Sequence, residues 1–166
     1  MRAIGMTVLF AAPTVCGWMC RQREKRQVEI LRQILRMLEL MQTHLRFSAL
    51  PTEELLDSLC ASQTLGTLSF LEESRRLYRE QGDLPAAWRQ AALRFGAAKP
   101  ETRRLLAALG EQLGASDVEG QLAQLRLEET LFGTLLERAE AAAPRSGSAC
   151  LWIGVCAGVM AVIAVS

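Results

Sequence analysis

The chain has 166 residues, of which half are hydrophobic and only 5% are aromatic. Of its 19 Lys and Arg residues only Arg2 lies outside residues 21–148, which also contain all 18 Asp and Glu residues, so this middle segment carries 18 cations against 18 anions. Proteins that bind nucleic acids normally carry a basic excess on one face, so the balanced charge disfavours a nucleic-acid partner.

The first stretch, residues 3–20, contains no charged residue and is just long enough to cross a membrane as a helix, which takes about 17–25 apolar residues. It also resembles the apolar region of a cleaved signal peptide. A basic cluster follows it directly, and each Lys or Arg costs roughly 2.5–3.5 kcal/mol at mid-membrane, so such clusters stay on the cytoplasmic side. The sequence therefore favours an uncleaved transmembrane helix over residues 1–20. The basic cluster consists of Arg21, Arg23, Lys25 and Arg26. We expect these side chains to lie near anionic lipid headgroups.

The next segment predicts a long amphipathic helix, because residues 21–50 contain no Pro or Gly. Apolar residues recur at alternating three- and four-residue steps, and only Gln42 interrupts this stripe. His44, the one histidine of the chain, lies near the end of this helix. We interpret it as a surface or capping side chain, because no second histidine is present to support a catalytic or metal-binding role. The stripe consists of Val28, Leu31, Leu35, Leu38 and Leu45, and is widened by Ile30, Ile34, Met37 and Met41.

Four shorter helices are predicted after a corner at Pro51. The second covers residues 53–62 and the third covers residues 68–80. Gly82 follows the third helix and terminates it. An acid followed closely by proline is a common helix start, so the fourth begins at Asp83. The fifth begins at Pro100.

The turn between the fifth and sixth helices is the most informative local sequence. Gly114 suits the left-handed conformation at a helix C-terminus, and Ser116 with Glu119 forms a capping box for the sixth helix. A tight reversal between antiparallel helices explains these polar residues better than a binding role does. The residues assigned to this structural turn or possible partner contact are Gly110, Gly114, Ser116, Asp117 and Gln121.

The sixth helix reaches Ala143, where residues 144–148 predict an interruption because they include Pro144 and Gly147. Residues 149–166 are again uncharged and predict a second transmembrane helix. Arg145 precedes this helix and no basic residue follows it, which places the middle domain, residues 21–148, in the cytoplasm. Gly154 and Gly158 form a G-x-x-x-G pattern that favours close packing against another membrane helix.

The residues indicate no catalytic or cofactor-binding chemistry. The sequence lacks a phosphate-binding loop, and a single histidine cannot complete a nucleophilic triad with Ser or Cys. The two carboxylates of an acidic pair such as Glu72 and Glu73 are adjacent in sequence, so on a helix their side chains diverge by about 100° and do not converge on one site. Four of the five cysteines lie in or beside the apolar ends, and Cys60 reads as a small buried residue. We therefore expect no enzyme activity, metal, cofactor or small-molecule substrate.

The whole pattern resembles the stage III sporulation protein AB family of endospore-forming bacteria. Besides the two apolar ends, the resemblance rests on the Leu-rich helix around residues 36–40 and on the segment Leu84-x-x-Ala87-Trp88. Its most specific part is the string from Leu109-Gly110 through Leu113-Gly114-x-Ser116-Asp117-x-x-x-Gln121, with Leu125 beyond. One departure is the predicted interruption at Pro144, because the family enters its last span along a continuous charged helix.

This resemblance implies an integral membrane component of the secretion-like complex that joins mother cell and forespore. The family is similar to the cytoplasmic domain of the F-type platform proteins of type II secretion systems. It therefore implies, as partners, a cytosolic ATPase and other membrane proteins of the sporulation complex.

We therefore expect an all-α protein, with two transmembrane helices flanking an antiparallel six-helix bundle on the cytoplasmic, mother-cell side. Its function would be that of a non-catalytic platform that docks the ATPase. The alternative from the sequence is a membrane-anchored helical adaptor that binds a soluble regulator.

Overall fold

The computed structural model describes the backbone of residues 2–47, 52–112 and 118–165, and the side chains of residues 22–47, 54–111 and 118–142. These residues form six α-helices and one short 3-10 turn, and no β-strand occurs among them, which confirms the all-α prediction. The helices are α1 (Arg2–Phe47), α2 (Thr52–Ala61), α3 (Phe70–Gln81), α4 (Leu84–Arg94), α5 (Pro100–Gln112) and α6 (Val118–Val165). The 3-10 turn, Gln63–Leu65, precedes Gly66 and buries Leu65.

The chain divides into two compact units. One comprises Met1–Val28 and Glu137–Ser166, and the other comprises Glu29–Leu136. The predicted membrane segments, residues 1–20 and 149–166, belong to the first unit, and their side chains lie outside the described residues. Among the residues that are described, no helix is both long and apolar enough to cross a membrane.

The predicted interruption of the last helix at residues 144–148 is wrong, because α6 runs without a break from Val118 to Val165. A proline inside a helix removes one backbone hydrogen bond and costs about 3 kcal/mol, and it kinks a helix at least as readily as it ends one. Gly147 adds a penalty of about 1 kcal/mol relative to alanine. The good helix formers that precede these residues, in the segment 135–143, offset part of that local cost.

The apolar stripe of α1 is buried, but its centre is displaced from the predicted one. Ile30, Ile34 and Met41 are fully buried, whereas Leu35 and Leu45 are only half-buried. The residues predicted to widen the stripe therefore form its centre. Burial of such side chains stabilises the fold by about 1.5–3 kcal/mol each.

Two glutamines of α1 attach this helix to other parts of the second unit. Gln33 is buried, and its Oε1 accepts hydrogen bonds from the backbone N–H of Thr67, at 3.0 Å, and from the Thr67 hydroxyl. Gln42, the one polar position in the predicted stripe, donates from Nε2 to Glu129 Oε2 on α6 at 3.0 Å. Because hydrogen bonds need specific geometry, these contacts fix the register of α1 more sharply than apolar packing alone.

The reversal between α3 and α4 has the predicted capping residues. Gly82 adopts a left-handed conformation with φ 72°, and its N–H donates to the carbonyl of Tyr78 at 2.8 Å. The Asp83 carboxylate accepts from the backbone N–H of Ala86 at 3.2 Å, and Pro85 lies in the first turn of α4. Each feature satisfies or removes a backbone group that a helix end leaves unpaired.

An aromatic cluster holds α3, α4 and α5 together. The Trp88 ring meets the Phe70 ring edge-on, with centroids 5.2 Å apart, and Phe70 also contacts Phe95 at 5.6 Å. Trp88 Nε1 donates to the carbonyl oxygen of Leu106 on α5 at 2.8 Å, so its polar atom is satisfied although the side chain is buried. Gly110 is buried beside this ring. A Cβ atom at this position would overlap the indole, lying 2.6 Å from Trp88 Cγ and 3.0 Å from its Cβ.

Gly110→Ala should therefore destabilise the protein by about 1–3 kcal/mol, the usual cost of overpacking a core. The matched control is Gly133→Ala on α6, where an added Cβ would meet no atom within 4 Å. This change should stabilise by about 0.5–1 kcal/mol, because alanine is the better helix former. Urea unfolding of both variants measures the difference, and equal effects would contradict the packing role of Gly110.

Candidate partner-binding surface

The candidate surface begins with an ion-pair cluster on the exposed side of α3. Arg76 contacts Glu73 through both Nε and Nη2, at 3.0 Å and 2.7 Å, and reaches Glu80 through Nη1 at 2.7 Å. These spacings of three and four residues place all three side chains on one face of the helix. The cluster is thus formed within a single helix and needs no other element to set its geometry.

Glu73 and Arg76 of this cluster are both ionised at neutral pH, because each pKa is shifted further from neutrality. The hydrogen bonds from Arg76 lower the pKa of Glu73, and the positive charges of Arg76 and Arg94 act in the same direction. The same contacts raise the pKa of Arg76, chiefly through Glu73. Because the cluster is exposed, water and salt screen it, and such pairs contribute little to stability. Its ordered charge pattern is therefore open to a partner.

Further ion pairs extend this pattern over four helices. Asp57 on α2 lies 3.7 Å from Arg75 and 3.8 Å from Arg79 of α3. Glu73 lies 4.0 Å from Arg94 at the end of α4, and Arg89 of α4 lies 3.3 Å from Glu111 of α5. We call these residues the ion-pair surface. Its members are Asp57, Glu73, Arg75, Arg76, Arg79, Glu80, Arg89, Arg94 and Glu111.

A second exposed feature is an uncharged strip on α6. Leu127 is 53% exposed and Leu131 is 37% exposed. The hydroxyl groups of Thr130 and Thr134 donate to backbone carbonyls of their own helix, at 3.0 Å and 2.8 Å. These internal bonds satisfy the two hydroxyls without any contact outside α6. The α6 strip consists of Ala123, Leu127, Thr130, Leu131 and Thr134.

The residues of the predicted turn are divided by the structure. Gly110 lies inside α5 rather than in the connection, where it packs against Trp88. Gly114, Ser116 and Asp117 lie outside the described residues, so their capping roles stay predictions. Gln121 is half-buried in the second turn of α6. Sequence reasoning missed the role of Gly110, because only the position of Trp88 reveals why a side chain is excluded there.

The membrane-related residues are described only in part. Arg23, Lys25 and Arg26 are exposed on α1, while the side chain of Arg21 lies outside the described residues. Gly154 and Gly158 lie on the helical backbone of α6, but their surroundings lie outside the described residues as well. Packing through this G-x-x-x-G pattern therefore stays a prediction.

The part of the chain whose side chains are described contains one histidine, His44, and one cysteine, Cys60. His44 Nε2 lies 3.1 Å from Ser58 Oγ, which joins α1 to α2. Cys60 is a free, half-buried thiol, and burial raises its pKa, an effect that Arg75 opposes and Asp57 reinforces. In the part of the chain that the structure describes, no group of three or more His, Cys, Asp or Glu side chains is placed to hold a metal ion.

Comparison with known proteins gives one match that covers nearly the whole chain. Residues 2–165 match the family model described as stage III sporulation protein AB. No curated protein matches the chain, and no solved structure matches it.

The Cys60 thiol should react slowly with alkylating agents at neutral pH, because its raised pKa lowers the fraction of reactive thiolate. The test uses a variant in which the other four cysteines are replaced. Its control also carries Cys60→Ala and Ala61→Cys, which moves the thiol to an exposed neighbour. Iodoacetamide should modify the control several-fold faster at pH 7.5, and equal rates would contradict the effect of burial.

Proposed function

The chain belongs to the stage III sporulation protein AB family and so has a role in stage III of sporulation, and we propose that within this stage it acts as a membrane platform. In this proposal the protein is a non-catalytic component of the secretion-like complex between mother cell and forespore. Its helical domain docks a cytosolic ATPase, and its ends contact other membrane proteins of the complex.

The membrane anchoring in this proposal rests on the two uncharged ends. Residues 3–20 are part of α1, and residues 149–165 are part of α6, so both apolar stretches belong to long helices. A helix satisfies its own backbone hydrogen bonds, which is required in a lipid environment. The basic residues beside the first stretch and Arg145 before the second favour a cytoplasmic domain by the positive-inside rule.

The docking role is supported above all by the ion-pair surface. Its charges alternate in sign and contribute little to stability, and on α3 they are held in place by contacts of 2.7 Å. Complementary charges on a partner speed its association and select the correct orientation. The aromatic cluster beneath gives this surface a rigid support, because α3, α4 and α5 all contact it.

The alternative, a membrane-anchored adaptor that binds a soluble regulator, is favoured by one specific feature. The α6 strip exposes two leucines, and exposed apolar side chains in a row are typical of protein–protein contacts. In this reading the α6 strip, and not the ion-pair surface, would be the main contact. The two functions therefore differ both in the partner that the protein binds and in the surface that binds it.

We expect the paired substitution Glu73→Arg with Arg76→Glu to weaken ATPase binding about tenfold, which corresponds to about 1.4 kcal/mol. This swap keeps an ion pair three residues apart but inverts its polarity, and it places like charges against Glu80 and Arg94. Because exposed pairs contribute little to stability, the helix itself should remain folded. Arg104→Glu, at an exposed position of α5 outside the ion-pair surface, is the control. Affinity is measured with the full-length protein in detergent, and circular dichroism checks the fold. Unchanged ATPase binding by the swap would contradict docking through the ion-pair surface, and a wild-type protein that does not bind the ATPase would favour the adaptor.

The orientation is tested by labelling single-cysteine variants in intact cells with a membrane-impermeant maleimide. A cysteine at position 166 should be labelled from outside, whereas Cys60 should react only after permeabilisation. Because burial raises the pKa of Cys60 and we expect this thiol to react slowly, Ala61→Cys serves as an exposed reporter of the same region. Labelling of position 61 in intact cells would rule out a cytoplasmic domain.

A further inference from the structure

Glu128 is a buried carboxyl group on the inner face of α6. Only 3% of its surface is exposed, and its helical neighbours Leu125, Phe132 and Leu135 are all buried on the same face. Carboxyl groups are almost never fully buried unless they are paired. The position of Glu128 therefore requires an explanation that the proposed docking function does not supply.

The hydrogen bonds of Glu128 leave one of its oxygens without a partner. Oε1 accepts from Gln124 Nε2 on the same helix at 3.3 Å, whereas the buried Oε2 has no hydrogen-bond partner. An ionised carboxylate carries about four acceptor sites, so most of its hydrogen-bonding capacity is unused here. Such a group is costly to keep charged in a buried position.

The adjacent acid on α6 and the histidine of α1 are both paired with groups other than Glu128. The adjacent Glu129 accepts a hydrogen bond from Gln42 of α1, which carries no charge. His44 of α1 is paired with Ser58 of α2. Among the described residues, no Lys, Arg or His contributes to the pKa of Glu128, and burial raises that pKa while the Gln124 bond opposes the shift in part.

We propose that Glu128 is a proton-dependent latch, which holds α6 against the domain core as a neutral carboxylic acid and loosens this helix when it ionises. The contact that responds is the Gln42–Glu129 bond next to it, which joins α1 to α6. A neutral carboxylic acid is far cheaper to bury than a carboxylate, so the packed arrangement favours the proton.

The direction of the pH dependence follows from the raised pKa. Between the ordinary pKa of a glutamate and the raised one, the packed state binds more protons than the open state. The contribution of Glu128 to packing is therefore complete below the ordinary pKa and is lost as pH rises through the raised one. A paired surface carboxylate such as Glu73, whose pKa is lowered, has the opposite dependence.

Hydrogen exchange measured by mass spectrometry tests the latch in the full-length protein in detergent. Rates are compared at several pH values between 5 and 8.5, after correction for the intrinsic pH dependence of exchange. In the wild-type protein, peptides covering residues 118–135 should exchange several-fold faster at high pH, whereas peptides of α4 should not change. Glu128→Gln, which has the same shape but no charge, should remove this dependence. Glu137→Gln, at an exposed position of the same helix, should keep it.

Two results would overturn the proposal. One is an unchanged pH dependence in Glu128→Gln, and the other is faster exchange of this variant at every pH, which would mean that the carboxylate makes a stabilising contact. Carbon-13 titration of the Glu128 carboxyl group in the wild-type protein gives an independent measurement. A midpoint at or below the ordinary glutamate value would also overturn the latch, even if the glutamine variant failed to fold.

Discussion

The contact between Trp88 and Gly110 is the constraint on which the rest of the helical domain depends. The indole fits against α5 only because residue 110 has no side chain, and its Nε1 atom reaches the Leu106 carbonyl at 2.8 Å. Phe70 packs edge-on against the same ring. One side chain on α4 therefore contacts both neighbouring helices, and it positions the ion pairs that join one helix to another, such as Arg89–Glu111.

The polar groups of the interior act differently from this apolar anchor. Gln33 and Gln42 each form a hydrogen bond from α1 to another segment. These bonds specify the register of α1, and they leave no buried polar atom of the pair unbonded. Glu128 lies only one residue from the Gln42 contact but has an unpaired oxygen. The same part of α6 thus contains the Gln42–Glu129 hydrogen bond and the unpaired Oε2 of Glu128. In our proposal, the protonation state of Glu128 controls the stability of that hydrogen bond.

Much of the fold could be predicted from the sequence because its signals are local. Gly82 and Asp83 act through neighbouring backbone groups, and the leucines of α2 and α3 follow helical periodicity. The errors arose where distant residues decide. Gly110 looked like part of a turn because its contact with Trp88 is 22 residues away in sequence. Pro144 looked like a helix end because a short window cannot weigh its cost against the length of α6.

The residues that stabilise this domain are buried and apolar, whereas the residues proposed to bind a partner are exposed and charged. Buried apolar side chains supply the folding free energy at roughly 25 cal/mol per Å², and the aromatic cluster uses its single polar atom internally. The exposed ion pairs add little to this total because water screens them. Selection for stability alone would therefore leave the ion-pair surface free to vary. Under the proposed docking role, the ordered pattern of nine charged residues across α2, α3, α4 and α5 would serve recognition, since complementary charges on a partner speed association and select its orientation.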